Sequence, residues 1–67
     1  MAVARVTEIS STSTKSFEDA VQQGIARATK TLRNVRSAWV KEQRVDIRNE
    51  QIAEYQVNLM VTFVLDD

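Results

Sequence analysis

The sequence has 67 residues, and its nine basic and nine acidic side chains give a formal net charge of zero at pH 7. That balance argues against a nucleic-acid-binding protein, which needs a basic surface to displace counterions from phosphates. A chain of this length, 1-67, forms a single domain that buries only about 60% of its unfolded surface. Because cysteine and histidine are absent, neither a disulfide nor a zinc cage can stabilise it. We therefore expect subunit association to supply the missing stability.

Membrane insertion and secretion are also not expected. No apolar run approaches the roughly 18 residues of a membrane span. The start, Met1–Arg5, lacks the apolar stretch of a secretory signal. The sequence therefore predicts a cytoplasmic protein.

The first element is predicted to be a short strand over Val3–Ser10, where β-branched and polar residues mix. The hydroxyl-rich cluster at 10–14 follows, and such clusters end strands and cap helices. Ser16, with Asp19 three residues later, resembles a capping box, and Ser13 is an alternative cap.

A helix is predicted over Phe17–Arg33, because the spacing of apolar residues changes to that of a helical face. Gly24 lies inside this apolar stripe, although glycine lowers helix stability. We therefore expect the helix and sheet backbones to approach closely at Gly24. The predicted apolar face consists of Phe17, Ala20, Val21, Gly24, Ile25, Ala28 and Leu32.

Two further strands are predicted after Asn34, which should end the helix. Val35–Ile47 forms the second strand, and a polar turn at 48–51 leads into the third. The third strand alternates strictly between core and polar positions. Its predicted core residues are Ala53, Tyr55, Val57, Leu59, Val61, Phe63 and Leu65. The order strand, helix, strand, strand indicates an α+β fold, with one helix covering one face of a three-stranded antiparallel sheet.

The sheet face away from the helix is predicted to carry the functional side chains. Straight alternation along the second strand places Ser37, Trp39, Lys41 and Gln43 on that face, with Gln56, Asn58 and Met60 from the third strand. Val45 and Ile47 should also point away from the helix. Trp39 beside Gln56 suits a planar heteroaromatic ligand, which needs stacking and edge hydrogen bonds. Trp39 fits equally well as an anchor between subunits.

No catalytic site is predicted. The chain has neither histidine nor cysteine, which are the commonest general base and the best nucleophile. Gly24 is the only glycine, so no phosphate-binding loop is possible. No metal site is predicted either. We therefore expect a binding protein and not an enzyme.

Several segments in the same order resemble the dodecin family. The Ser11-Thr12-Ser13 step resembles that family's Gly-Thr-Ser before the helix. Other matching segments are Phe17-Glu18-Asp19-Ala20, Ile25-Ala26-Arg27-Ala28, Thr31-Leu32-Arg33-Asn34-Val35, Val40-Lys41-Glu42, Tyr55-Gln56-Val57 and Phe63-Val64-Leu65-Asp66. This resemblance implies a β-α-β-β subunit whose sheet wraps around one helix, and a hollow homododecamer assembled from trimers.

The resemblance also implies a ligand. Dodecins that bind flavin hold it in pairs at subunit junctions, as a store or scavenger, so FMN or riboflavin is the implied cofactor. A tryptophan early in the second strand stacks on the flavin. Gln56 matches a glutamine that contacts it, and Glu42 matches an acidic position near the flavin side chain.

Two positions depart from the family pattern. Ser37 stands where the family has its stacking tryptophan, and Trp39 lies two residues later, displaced by roughly 6.6 Å along the strand. Arg44-Val45 stands where many bacterial members have Arg-Gly. The alternative is therefore a dodecin-type shell that binds calcium or coenzyme A without flavin.

Overall fold

The computed structural model describes residues 2–66 and contains one helix and three strands. In chain order these are β1 (Ala4–Ser13), α1 (Phe17–Thr31), β2 (Val35–Arg48) and β3 (Gln51–Val64). The sheet is antiparallel, and β3 lies between β1 and β2. This is the predicted β-α-β-β topology. Among the described residues, no helix has the length and apolar character needed to cross a membrane.

Strand β1 is longer than predicted. The hydroxyl cluster does not end the strand at Ser10, because Ser11, Thr12 and Ser13 continue the antiparallel pairing with β3 up to Tyr55. The β-branched Thr12 suits a pleated strand. Ser11 is small enough to lie beneath the helix, where Gly24 approaches it.

Both candidate capping serines act at the start of α1. Ser16 is the N-cap, and its hydroxyl accepts a hydrogen bond of 3.0 Å from the Asp19 N–H. The Ser13 hydroxyl donates to Asp19 Oδ2 at 2.6 Å and accepts from the Lys15 N–H at 2.9 Å. Hydrogen bonds from Ser13 and then from Gln23 lower the pKa of the Asp19 carboxyl below its ordinary value of 3.8.

Helix α1 ends at Thr31, two residues earlier than predicted. Leu32 is already extended, although its N–H still donates to the Ala28 carbonyl at 2.9 Å. Asn34 then turns the chain through a left-handed conformation with φ of 62°. Its side chain donates to the Val64 carbonyl at 3.3 Å. The helix therefore stops early because the chain must reverse into β2.

The core is thin because the helix lies very close to the sheet. The buried helix residues, Ala20, Gly24 and Ala28, are all small and recur every fourth position. They face the most buried sheet side chains, Val57, Leu59 and Val61. A Cβ on Gly24 would lie 3.0 Å from Leu59 Cδ1 and 3.1 Å from Ser11 Cβ. The predicted close approach at Gly24 is therefore confirmed.

The β2–β3 hairpin extends beyond the helix. Its two turn residues, Asn49 and Glu50, have φ of 53° and 64°, as a tight type I′ turn requires. Helix α1 packs over β1 and β3 and touches only a small part of β2. The molecule is elongated, with dimensions of 51 × 19 × 13 Å. Part of β2 and the end of the hairpin therefore have no covering layer from the other elements of residues 2–66.

Candidate functional site

Strand β2 contains a bulge at Lys41 that reverses the alternation of its side chains. Val40 pairs with Leu59, but Glu42 pairs with Asn58, so Lys41 is the extra residue. Directly opposed residues of an antiparallel pair share a face of the sheet. We call the face opposite the helix the outer face, and Glu42 and Arg44 both lie on it, since Arg44 pairs with Gln56.

The bulge overturns part of the sequence prediction. Gln43 pairs with the buried Val57 and Val45 pairs with Tyr55, so both point to the helix side of the sheet. A further irregularity follows between Asp46 and Ile47, where Ala53 of β3 is the extra residue, so β2 keeps its own alternation and Ile47 pairs with Ile52 on the same side as Val45. Straight alternation had placed all three on the outer face, and the extra residue at Lys41 is the physical reason that they are not there.

A hydrogen-bonded cluster occupies the outer face near the middle of β3. We call its five residues, Ser10, Glu42, Arg44, Gln56 and Asn58, the outer polar network. The Gln56 amide donates to Ser10 Oγ at 2.9 Å and to Asn58 Oδ1 at 3.4 Å, and it accepts from Arg44 Nε at 3.2 Å. Asn58 Nδ2 donates to Glu42 Oε1 at 2.8 Å. These bonds fix the orientation of the Gln56 amide.

Trp39 lies on the outer face but outside this network. It pairs with Met60, and 51% of its surface is exposed. Gln56 is four residues from Met60 along β3, which corresponds to about 13 Å at ~3.3 Å per residue. The prediction that Trp39 lies beside Gln56 is therefore wrong within one chain. Both side chains are presented on the same face, at separate places.

Ser37 and Lys41 complete this part of the outer face. Ser37 pairs with Thr62 and lies farther from Gln56 than Trp39 does. Lys41 Nζ forms an ion pair of 3.2 Å with Glu8 Oε1 across β3, in the region between Trp39 and the outer polar network. Because both partners are substantially exposed, this pair contributes little to stability.

The outer face combines an exposed aromatic plate with oriented amide and guanidinium groups. Such a surface can stack a planar ring and hydrogen-bond its edge. Within residues 2–66 no group of three or more carboxylates is placed to hold a metal ion. The participation of Ser10 was missed from the sequence, because it depends on the pairing of β1 with β3, more than forty residues away in the chain.

Comparisons of this chain with known proteins all indicate the same family. The Dodecin family model matches residues 3–66. A dodecin from Thermus thermophilus is 43% identical over 60 residues, which cover 90% of this chain and 87% of the relative.

Solved structures give the same result. A dodecin from Streptomyces davaonensis superposes with a TM-score of 0.93 at 39% identity, covering 98% of this chain and 97% of the other. A calcium-chelating dodecin from Mycobacterium tuberculosis, described as having a novel calcium-binding site, gives 0.84 at 29% identity, with 97% and 93% coverage. Since the family model spans almost the whole chain and the topology agrees, the chain belongs to the dodecin family.

Proposed function

We propose that this protein binds riboflavin or FMN on its outer face and stores or sequesters it, as a hollow homododecamer in the cytoplasm. The observation that carries the proposal is the half-exposed indole of Trp39 on the same sheet face as the oriented amide of Gln56. This role requires no catalytic residue.

The residues present fit a flavin by their chemistry. The isoalloxazine ring has an apolar face for stacking on Trp39 and an edge of acceptors and donors for the amide of Gln56. Glu42 and Arg44 are connected to Gln56 through the outer polar network and would lie beside the ligand. Ser37, at the position of the family's stacking tryptophan, leaves Trp39 as the only indole available.

Assembly of several copies is needed to complete such a pocket. A planar ring on Trp39 would have one face against the indole and the other in water, since the outer face of one chain is a single sheet surface. Trp39 and Gln56 are also about 13 Å apart along one strand. A second subunit can supply the opposite wall and bring an amide to the ring edge, which is consistent with a dodecamer.

Fluorescence titration tests the ligand. Riboflavin, and separately FMN, is titrated with the purified protein freed of ligand, and stacking on Trp39 should quench the flavin emission. Trp39→Ala should weaken binding, and Ser37→Trp should strengthen it by adding an indole on the same face. Size-exclusion chromatography of each variant gives the assembly state in parallel.

The outcomes separate a ligand plate from an interface anchor. Loss of binding in Trp39→Ala with an unchanged assembly supports the ligand role. Disassembly of Trp39→Ala without any flavin quenching by the unmodified protein contradicts the proposal, and leaves Trp39 as a subunit contact.

The alternative is a shell that binds calcium or coenzyme A without flavin. Ser37 in place of the family's stacking tryptophan favours it, and one structural relative is described as a calcium dodecin. The two carboxylates of the outer face near Trp39 and Gln56 already have partners. Glu8 forms an ion pair with Lys41, and Glu42 accepts a hydrogen bond from Asn58. Calorimetry with calcium and with coenzyme A, run beside the flavin titration, distinguishes these ligands.

A further inference from the structure

The outer face carries more negative than positive charge between Trp39 and the β2–β3 turn. Asp46 and Glu54 face each other directly across β2 and β3, and neither forms an ion pair with another of the residues 2–66. Arg36 lies before this stretch and lines a groove between α1 and β2 instead. The carboxylates of the stretch are Glu8, Glu42, Asp46 and Glu54, and its cations are Lys41, Arg44 and Arg48.

Lys41 is the cation of this stretch nearest to Trp39 along the strands. The two residues are about 6.6 Å apart on β2. Lys41 Nζ lies 3.2 Å from Glu8 Oε1, and about half of each side chain is exposed. Glu8 and Trp39 both pair with Met60, one from each side, so this ion pair lies beside the indole. The pair adds little stability, but it neutralises the charge of Lys41 where the proposed ligand stacks.

Arg44 is balanced by carboxylates in a similar way. On its own strand it is flanked by Glu42 and Asp46, each two residues away on the same face. Its Nε already donates to Gln56 Oε1 at 3.2 Å. Neither Lys41 nor Arg44 therefore offers a positive charge without a carboxylate close by.

From this balance we infer that Glu8 makes the site selective for riboflavin over FMN. The inference rests on the proposed function, since it concerns the same ligand surface. Riboflavin is uncharged at pH 7, whereas a phosphate monoester carries a charge of about −1.5 to −2. Phosphate is bound well where a guanidinium or an ammonium is available to it. On this surface the phosphate of FMN must compete with Glu8 for Lys41.

Assembly does not reverse this preference. A second outer face placed opposite the first repeats the same charges, so the negative excess doubles and is not cancelled. Like charges brought together at an interface oppose binding. The neutral flavin avoids this cost, because it needs only the stacking surface of Trp39 and the amide of Gln56.

Replacement of Glu8 by glutamine tests the inference, because Glu8→Gln keeps the shape of the side chain and leaves Lys41 unpaired. Riboflavin and FMN are each titrated by flavin fluorescence at about 0.01 M and about 0.15 M ionic strength, where the screening lengths are about 30 Å and about 8 Å. The ratio of FMN affinity to riboflavin affinity should rise by about threefold to fivefold at the lower salt, and by less at the higher. Lys41→Gln should lower the same ratio, since it leaves Glu8 without its cation.

Glu18→Gln is the matched control, because it makes the same change of charge at an exposed position in the first turn of α1. Its ratio should equal that of the unmodified protein. Tighter binding of riboflavin than of FMN, with a ratio that rises only in Glu8→Gln, supports the inference. FMN binding at least as tight as riboflavin binding in the unmodified protein, or an unchanged ratio in Glu8→Gln, overturns the selectivity and leaves the proposed function standing. Absence of quenching with both flavins overturns both.

Discussion

Replacement of Gly24 by alanine sets helix propensity against packing, and the structure indicates which effect prevails. Alanine is favoured over glycine in a helix by about 1 kcal/mol. A Cβ at this position, however, would lie 3.0 Å from Leu59 Cδ1 and 3.1 Å from Ser11 Cβ. Carbon atoms in ordinary contact are about 3.5–4.0 Å apart, so the new methyl overlaps both neighbours by roughly 0.5 Å.

Neither neighbour can move away easily. Leu59 is fully buried in the core, and Ser11 Cβ is attached to the backbone of β1. Overpacking of this kind costs about 1–3 kcal/mol. After subtraction of the ~1 kcal/mol propensity gain, Gly24→Ala should lower the free energy of unfolding by about 1 kcal/mol.

Chemical denaturation at one fixed protein concentration measures this change, since association alters apparent stability. Ala26→Gly is the propensity control, because Ala26 is exposed on the same helix. It should lose about 1 kcal/mol without any packing change. Adding Ser11→Gly to Gly24→Ala removes one clash, so a double-mutant cycle should show a favourable coupling of about 0.5–1 kcal/mol. If Gly24→Ala stabilises the protein, the close-packing argument is refuted.

Three further outcomes are expected. Glu50→Gly should raise the free energy of unfolding by about 1 kcal/mol, because Glu50 has a φ of 64°, which glycine adopts without strain; an unchanged denaturation midpoint would contradict this. The depressed pKa of Asp19 gives stability that is present above its ordinary value of 3.8 and is lost as the pH falls through its lower folded value. The hydrogen bond from Ser13 is the largest cause of this lowered pKa. The melting temperature of the Ser13→Ala variant should therefore depend less on pH in that range than the melting temperature of the unmodified protein. Arg44→Ala breaks an exposed hydrogen bond to Gln56, so it should change stability by less than about 1 kcal/mol while weakening riboflavin binding; unaltered affinity would remove Arg44 from the proposed site.

Local patterns were sufficient to predict the elements in which one face is buried. The 3.6-residue stripe predicted α1, and the strict alternation through Val57, Leu59 and Val61 predicted β3. The inferred close approach at Gly24 was also correct, because a glycine in an apolar helical stripe needs a packing reason.

Features that depend on pairing between distant segments could not be predicted. Strand β1 ends at Ser13 because its pairing with β3 continues up to Tyr55. The hydroxyl cluster by itself had predicted that the strand ends at Ser10. The bulge at Lys41 has no local signal, since neither Lys41 nor its neighbours carry a glycine. Only the register of β2 against β3 determines which residue is the extra one.

That one extra residue sets the chemistry of both faces of the sheet. Without it, Gln43, Val45 and Ile47 would share the outer face with Trp39, and Glu42 and Arg44 would face the helix side. With it, the polar side chains gather around Gln56 on the outer face, where the proposed ligand binds. Val45 and Ile47 move to the helix side of the sheet, where Val45 is partly buried and Ile47 is exposed. Because a strand alternates with a period of two, a single inserted position decides which of these side chains lie on the face of the proposed ligand site.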